Sequence, residues 1–391
     1  MTRAMPAILL DLTHTSHTRA RTGIQRVARS LHRELGAAAI AVTRDPFLGA
    51  WRPLEPWETA NLASDDTTKT RRAQWPLSAR WSGRWRRATG RTGTFALQGD
   101  YQGFLTAELF GADVGSHLPR VFPRVALFHD AIALKFPELT PAGTVARFPG
   151  YLHELLQFDG IAAVSEDSRT SLADYWSWLG IAHPPPVIAL PLGVDPVCHP
   201  MGDKRTDGAS PVVLSVGTLE GRKNHLALLD ACELLWARGG KFTLRLAGSI
   251  QNQTGRAALA RVRTLQAAGR PLRYDGPLSE AALGEAYAEC AFTVYPSLAE
   301  GFGLPVIESL AHGRPCLCSM QGALGELVPG GGVVGLAAVD AGSLATAIAR
   351  LLSSPGELAA LSAAARARTF KSWRAYADEL TAWMQTLRPR A

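Results

Sequence analysis

Hydrophobic and polar positions follow two patterns in turn along the chain. Short aliphatic runs end at turn residues, and longer segments carry apolar residues spaced three and four apart. The first pattern is typical of buried strands and the second of amphipathic helices, so their alternation predicts parallel βαβ units. In the helix expected at 22–35, Ile24, Val27, Leu31 and Leu35 form one stripe that would face a sheet.

The same patterns place the remaining elements. Strands are expected at 7–10, 95–98, 124–128, 161–164 and 187–190, and again at 212–216, 242–247, 273–274, 292–295 and 315–318. Helices of the second half are expected near 223–238, 255–268, 279–290 and 304–313.

A polar, glycine-containing connection at 201–211 separates the two stretches. The sequence therefore predicts an α/β protein with two Rossmann-like doubly wound domains, over 1–200 and 201–371, and a final helix within 372–391. Doubly wound domains bind ligands beyond the carboxyl ends of their strands, and two that face each other would leave a central cleft.

Composition supports a globular protein, with 47% apolar and 19% charged residues. The five cysteines are scattered without the spacing of a metal site, which indicates reduced thiols in the cytoplasm. The apolar run at 7–10 is too short for a signal peptide or a membrane span, so a cytoplasmic location is expected. Residues 66–93 carry eight basic residues against one acid and account for the whole net charge of +7, which argues against nucleic-acid binding.

The first segment with candidate chemistry follows the strand at 212–216. That strand ends at Gly217, and after a short loop Arg222 and Lys223 stand where the next helix begins. Backbone N–H groups at a helix start attract anions, so the two cations make a site suited to a diphosphate. A solvated pair of basic residues beside a turn is the alternative.

A second segment, 295–315, combines a strand exit, a glycine-interrupted loop with Glu300, and a helix that Pro305 can start. Glu308 lies one turn inside this helix. Carboxylates accept hydrogen bonds from sugar hydroxyls, so Glu300 and Glu308 could bracket a polyhydroxyl ligand. Each acid alone is equally compatible with a structural role, Glu308 through the helix dipole.

Together these segments resemble the family-4 glycosyltransferases of the GT-B fold. The E-x7-E element is E-G-F-G-L-P-V-I-E at 300–308, followed by G-R-P at 313–315, and the phosphate-binding element is V-G-T-L-E-G-R-K-N at 216–224. Further matches are T-G-I-Q-R at 22–26, H-D-A at 129–131, F-P-E at 136–138, A-V-S-E-D-S-R at 163–169 and P-L-G-V-D at 191–195. The resemblance covers nearly the whole chain in the family's order.

The resemblance implies that Arg222 and Lys223 hold the donor diphosphate, that Glu308 takes the ribose hydroxyls and that Glu300 grips the transferred sugar. His129 would face that sugar from the first, acceptor-binding domain, and the C-terminal helix, 372–391, would cross back onto this domain. The residues expected to bind the donor are Gly23, Gly217, Arg222, Lys223, Gly276, Leu278, Glu300, Phe302, Gly303, Leu304 and Glu308. Those expected in catalysis are Glu300, His129, Arg222 and Lys223.

No metal is expected at the site, because the chain lacks a D-x-D pair at a strand end. The donor phosphates would instead be balanced by Arg222, Lys223 and backbone amides. The other histidines show no metal-ligand spacing, and His129 could simply end a strand.

Within the basic segment at 66–93, Leu77, Trp81 and Trp85 are spaced four apart beside Arg80, Arg84 and Arg87. A short helix here would place tryptophan beside arginine, a combination suited to an anionic membrane surface or a lipid-diphosphate acceptor. A solvated or disordered insertion is the alternative.

The function expected from the resemblance is retaining transfer of a sugar, with mannose or rhamnose favoured, from a nucleoside-diphosphate donor to a surface glycan or a lipid-linked saccharide. The T-G-I-Q-R opening favours a GDP-sugar. Two alternatives remain: a sugar-nucleotide epimerase of the same fold, and a non-catalytic scaffold that binds glycan or lipid.

Overall fold

The computed structural model describes residues 7–18, 22–64, 74–91, 97, 100–111, 113–195 and 210–389. The chain divides into two units. Unit 1 comprises Met1–His129, Arg147–Gly193 and Ser372–Ala391, and unit 2 comprises Asp130–Ala146 and Val194–Lys371. The division thus lies at 193/194 rather than 200/201, and residues 130–146, which were expected in the first domain, belong to unit 2.

Unit 1 contains a seven-stranded sheet in the order β3-β2-β1-β4-β5-β6-β7. Its strands are β1 (Ile8–Asp11), β2 (Ala39–Asp45), β3 (Ala50–Pro53), β4 (Gly103–Thr106), β5 (Arg124–Phe128), β6 (Gly160–Ala163) and β7 (Val187–Ala189). Neighbouring strands are parallel except β2 and β3, which form an antiparallel hairpin at one edge. The order in which the chain adds parallel strands reverses between β1 and β4. In a doubly wound sheet, ligands bind at this switch point, beyond the carboxyl ends of the strands.

Unit 1 also contains most of the helices of the first half of the chain and the last helix. They are α1 (Gly23–Leu35), α2 (Pro56–Ala63), α3 (Leu77–Ala88), α6 (Glu166–Trp178) and α14 (Trp373–Thr386), while α4 (Ile132–Lys135) lies in unit 2 and α5 (Ala142–Glu154) runs from unit 2 into unit 1. The last helix, α14, packs closely on unit 1. A Cβ added at Gly160 would lie 2.8 Å from the ring of Trp383, and Arg374 donates to the carbonyl of Glu34 at 3.0 Å.

Unit 2 contains a six-stranded, all-parallel sheet in the order β10-β9-β8-β11-β12-β13. Its strands are β8 (Val212–Val216), β9 (Thr243–Ala247), β10 (Leu272–Tyr274), β11 (Phe292–Tyr295), β12 (Cys316–Ser319) and β13 (Val333–Leu336). Its helices are α7 (His225–Ala237), α8 (Arg256–Ala267), α9 (Glu280–Glu289), α10 (Leu304–Ala311), α11 (Gly322–Gly325), α12 (Ala341–Ser353) and α13 (Pro355–Ala367). This is the Rossmann strand order, with the switch point between β8 and β11.

The predicted fold class, two Rossmann-like α/β domains, is confirmed. Strands β5, β8 and β11 have the predicted bounds because each contains an uninterrupted run of at least three buried residues. The prediction missed β2, β3, β4 and β13, which are short or lie at or near an edge of a sheet. Two predicted segments lie largely outside the described residues. They are the strand expected at 95–98, of which only residue 97 is described, and the connection at 201–211, which is described from residue 210.

Among the described residues, no helix has the length and apolar character needed to cross a bilayer.

Candidate functional site

Two loops of unit 2 meet at the switch point of its sheet. One follows β8 and contains the 3-10 turn Gly221–Lys223, and the other leads from β11 to α10. The backbone N–H of Leu298 donates to the carbonyl of Arg222 at 2.8 Å, which ties the loops together. Because parallel strands end at the same edge, residues from both loops can address one ligand.

Three charged side chains from these loops form a compact group, the Glu300 cluster, which consists of Arg222, Lys223 and Glu300. Nη1 of Arg222 donates to Oε2 of Glu300 at 2.7 Å and to the carbonyl of Ala299 at 3.1 Å. Nζ of Lys223 donates to Oε1 of the same carboxylate. One carboxylate therefore joins both cations that the sequence singled out.

Burial and charge act in opposite directions on this cluster. Burial disfavours ionisation of Glu300, but the charges of Arg222 and then Lys223 outweigh it and lower the pKa of Glu300 to about 2. Burial likewise opposes the charge of Arg222, yet the carboxylate of Glu300 raises the pKa of Arg222. Glu300 and Arg222 are thus charged near neutral pH, and the Arg222 side chain, 24% exposed, remains open to a ligand.

Gly303 directly precedes α10 and has a φ of +98°, a conformation that favours glycine. A Cβ there would lie 2.8 Å from Cδ2 of Leu324, so space excludes a side chain as well. Among described groups, no acceptor engages the backbone N–H groups of Phe302, Gly303 or Leu304. These amides at the start of α10 are therefore available to an anion or a sugar oxygen.

Glu308 lies on α10 beside two buried tyrosines. The hydroxyl of Tyr287 donates to Oε2 of Glu308 at 3.4 Å and lies 3.2 Å from the hydroxyl of Tyr295. Leu278 packs against the buried cluster that includes Tyr287. The structure thus brings Leu278 and Glu308 to one region of unit 2.

Two further glycines expected at the donor site, Gly217 and Gly276, lie at the carboxyl edge of this sheet. Gly217 directly follows β8, and the Lys223 side chain passes 3.6 Å from where its Cβ would be. Gly276 follows β10 with a φ of +68°, and its carbonyl accepts from the N–H of Gly248 at 2.8 Å.

Several neighbours of the Glu300 cluster were missed from the sequence. Glu220 pairs with Nη2 of Arg222 at 2.7 Å, and the side chain of buried Ser297 hydrogen-bonds to Glu300. Burial lowers the pKa of Arg222, but the charges of Glu300, Glu220 and then Asp130, which belongs to the H-D-A motif, outweigh it and raise that pKa. The signal was available for Glu220 and Ser297, which lie two and three residues from predicted site residues, but Asp130 is 92 positions away in the chain.

His225 follows the cations at the start of α7 and is buried. Burial, and then the charge of Lys223, lower its pKa to about 3, so its imidazole is neutral at physiological pH. Its Nδ1 is enclosed without a hydrogen-bond partner among the described residues.

The two site residues predicted in the first half of the chain lie in unit 1. His129 follows β5 and is buried, and its Nε2–H donates to the carbonyl of Ala107 at 2.7 Å. Gly23 is the first residue of α1, and a Cβ added there would meet no atom within 4 Å. Space beside the helix start is therefore open.

The ligand edge of unit 1 carries a buried pair of acids, Asp11 and Glu108, that the sequence did not reveal. Glu108 accepts from the backbone N–H groups of His14 and Thr15 at 2.6 and 2.7 Å, which holds the loop after β1. Burial, followed by the charge of Asp11, raises the pKa of Glu108 to about 8. In the T-G-I-Q-R motif, Gln25 holds the same loop, because its Oε1 accepts from Thr22 N at 2.9 Å and its Nε2 lies 3.2 Å from Nδ1 of His14.

Within the described part of the chain, no group of three or more His, Cys, Asp or Glu side chains is arranged to hold a metal ion.

Comparison with protein families matches residues 210–354 to the model described as "Glycosyl transferases group 1". The chain is 26% identical over 336 residues to the serotype-specific mannosyltransferase WbdA of Escherichia coli, covering 79% of this chain and 38% of that protein. It is 30% identical over 227 residues to the O-antigen chain mannosyltransferase B of Escherichia coli, covering 56% of this chain and 58% of that protein. The chain therefore spans less than two thirds of the length of either relative.

Solved structures share the fold. The sucrose-phosphate synthase of Thermosynechococcus elongatus superposes with a TM-score of 0.67 at 19% identity, covering 97% of this chain and 98% of that one. HepE of Anabaena, solved in complex with UDP-glucose, superposes with a TM-score of 0.67 at 14% identity, covering 98% of this chain and 100% of that one. The two Rossmann-like units thus have the fold of the GT-B glycosyltransferases.

Proposed function

Because residues 210–354 form a glycosyl transferases group 1 domain, we propose that this protein is a glycosyltransferase that moves a sugar from a nucleoside-diphosphate sugar to a hydroxyl group of a surface glycan or a lipid-linked saccharide. The single observation that carries the proposal is the Glu300 cluster at the switch point between β8 and β11. Two cations and one carboxylate there match the two parts of such a donor, its diphosphate and its sugar.

The diphosphate would bind Arg222 and Lys223. Arg222 offers a planar fork of N–H donors that suits phosphate oxygens, and Lys223 adds a point charge. The 3-10 turn that carries both side chains is fixed at its back by the bond from Leu298. The cations therefore do not need to be ordered when the donor arrives, which favours binding.

Glu300 and Glu308 would divide the rest of the donor between them. Glu300 lies against the cations and would take hydroxyls of the transferred sugar, together with the open N–H groups of Phe302, Gly303 and Leu304. Glu308, one turn inside α10 and beside Tyr287, would take the ribose hydroxyls. Leu278, on the same buried cluster as Tyr287, would lie near the base.

Transfer would proceed with retention at the anomeric carbon. The bond from this carbon to the diphosphate oxygen breaks, the acceptor oxygen forms its bond on the same face, and the acceptor proton passes to the departing phosphate oxygen. Arg222 and Lys223 stabilise the charge that develops on the leaving group. This route requires no enzyme nucleophile and no metal.

GDP-mannose is the favoured donor. The support comes from two similar proteins of Escherichia coli, both of which are mannosyltransferases. A structure with the same fold was solved with UDP-glucose, so uridine sugars belong in the same test. The name of the second relative points to an O-antigen glycan as the class of acceptor.

The cytoplasm, with peripheral contact to an anionic membrane, is the proposed location. Among the described residues, Cys232, Cys290, Cys316 and Cys318 are buried thiols that form no disulfide, which suits a reducing compartment. A lipid-linked acceptor would require the enzyme to reach a membrane surface.

The test begins with thermal unfolding of the full chain in the presence of GDP-mannose, UDP-glucose or the free diphosphates. A ligand that binds only the folded state at about a hundredfold above its Kd stabilises it by about 2.7 kcal/mol. The stabilising donor is then incubated with lipid-linked saccharides, and the product is analysed by mass spectrometry and NMR.

Addition of one sugar with the anomeric configuration of the donor is the expected result. An inverted product would reject retention. An altered sugar nucleotide without acceptor product would indicate an epimerase, and the absence of stabilisation by every nucleotide would reject the donor site.

A further inference from the structure

Helix α3 packs against the hairpin turn between β2 and β3 through the side that carries its small residues. Ala79 and Gly83 are buried there, and a Cβ at Gly83 would lie only 2.8 Å from Cβ of Phe47. Arg86 pairs with Glu55 at 3.5 Å on the same side. The orientation of α3 on unit 1 is therefore fixed, and so is the face that it turns outward.

That outward face combines an apolar row with a cationic row. Leu77, Trp81 and Trp85 recur every four residues, and their side chains are 69%, 69% and 55% exposed. Arg80, Arg84 and Arg87 follow at helical spacing beside them. Residues 74–91 contain five arginines and no acid, so the face as a whole is positively charged.

A cavity of about 410 Å³ opens between α3 and the hairpin turn. It is lined by Pro46, Phe47, Arg84, Arg87 and Ala88. The guanidinium carbon of Arg84 lies 5.4 Å from the centre of the Phe47 ring, which orients this side chain along the cavity wall. The volume is within the range that small ligand groups occupy.

The arginines of this cavity have spare hydrogen-bond donors. Among the described residues, the guanidinium groups of Arg84 and Arg87 neither donate a hydrogen bond nor form an ion pair. Nearby, Nη1 of Arg44 is enclosed without an acceptor. Burial lowers the pKa of Arg44. The charge of Asp113 opposes this shift, and the charge of Arg87 adds to it. Arg84 and Arg87 therefore line the cavity with donors that no described acceptor uses, which favours an anionic ligand with several oxygens.

We propose that this cavity binds the phosphate of an anionic phospholipid headgroup while Leu77, Trp81 and Trp85 enter the lipid interface. Arg84 and Arg87 would supply the bonds to the phosphate oxygens, and the tryptophan rings would lie at the level of the headgroups, where such rings are stable. The inference rests on the membrane contact in the proposed function, and it adds a defined headgroup site to general charge attraction.

Flotation with vesicles tests this site in the full chain. One set of vesicles contains phosphatidylcholine alone, and the other contains phosphatidylcholine with phosphatidylglycerol. The parent is expected to bind the second set, with an affinity that falls as salt rises. The double variant Arg84→Gln/Arg87→Gln should bind them roughly tenfold more weakly or worse.

The matched control is Arg80→Gln/Arg91→Gln, which removes the same charge from the same segment but from residues that do not line the cavity. A headgroup site requires a clearly smaller loss in this control, and equal losses in the two variants would overturn the site in favour of diffuse attraction. Failure of the parent to bind the phosphatidylglycerol vesicles would overturn the proposal outright. Calorimetric titration with the nucleoside diphosphate, which should be unchanged in both variants, separates this failure from failure of the donor site.

Discussion

Nη1 of Arg222 and Oε2 of Glu300 lie 2.7 Å apart, although 78 positions separate the two residues in the chain. The cation proposed for the phosphates and the acid proposed for the sugar therefore share one hydrogen bond before a donor binds. A diphosphate must share Arg222 with this carboxylate or replace it there.

Replacement of Glu300 by glutamine should therefore separate binding from turnover. The affinity for free nucleoside diphosphate should be retained or increased, because the competing charge is gone. Turnover with the nucleotide sugar should fall by roughly a hundredfold, because a misplaced sugar ring reacts slowly. Calorimetry with the free nucleotide and initial rates with the sugar nucleotide measure the two effects.

The double variant Arg222→Gln/Lys223→Gln provides the contrast, since it should impair both measurements. A Glu300→Gln enzyme that transfers sugar at the parent rate would show that this carboxylate does not hold the sugar.

Glu308→Ala should weaken binding of the free nucleoside diphosphate by roughly tenfold to a hundredfold. A hydrogen bond to a charged acceptor contributes about 1.5–3 kcal/mol, and this contribution would be lost. The reason is that the ribose hydroxyls would lose their partner. Tyr287→Phe is the control, because it removes the hydroxyl that donates to Glu308 at 3.4 Å and keeps the carboxylate. Calorimetry in which Glu308→Ala binds as tightly as the parent would contradict the assignment.

Chelation should leave donor binding unchanged, because Arg222, Lys223 and the amides at the start of α10 are proposed to balance the phosphate charge. The measurement is calorimetric titration with the preferred donor before and after treatment with EDTA. Loss of binding that magnesium or manganese restores would show that the phosphate charge is balanced by a metal instead.

Stability should fall as pH rises through the range in which Glu108 ionises. Its pKa in the folded protein is raised to about 8 from an ordinary 4.5, so the folded state retains a proton that the unfolded state has lost. The stabilising effect is complete below about pH 4.5 and disappears as pH rises through 8. Between about pH 6 and pH 9 the free energy of unfolding should decrease by on the order of 2 kcal/mol more in the parent than in Glu108→Gln.

Urea unfolding at the two pH values provides the measurement. Identical pH dependence in the parent and in the glutamine variant would show that Glu108 is not protonated in the folded state. Asp11 is retained in both proteins, and because its charge raises the pKa of Glu108, the measured difference belongs to the pair of acids.

Local pattern determined much of this protein. Strands such as β8 and β11 are short, mostly apolar runs interrupted only by Ser215 and Thr293, so their hydrophobicity largely defines them. Gly303 and Arg222 could also be selected from the sequence, because a glycine before a helix and a cation after a strand have local physical meaning. The short strand β4 was not visible, since Gly103 begins it and four residues give no reliable period.

Tertiary structure alone decided which of these groups meet. The sequence suggested cations for the phosphates and an acid for the sugar, but it gave no reason to expect that Glu300 would pair with both cations. It also placed Asp130 in the first domain, whereas this residue lies in unit 2, where its charge acts on Arg222. The cause is physical: periodicity reports which side of an element is buried, whereas the partner of a charged group depends on strand order and loop packing, which bring distant segments to one edge of the sheet.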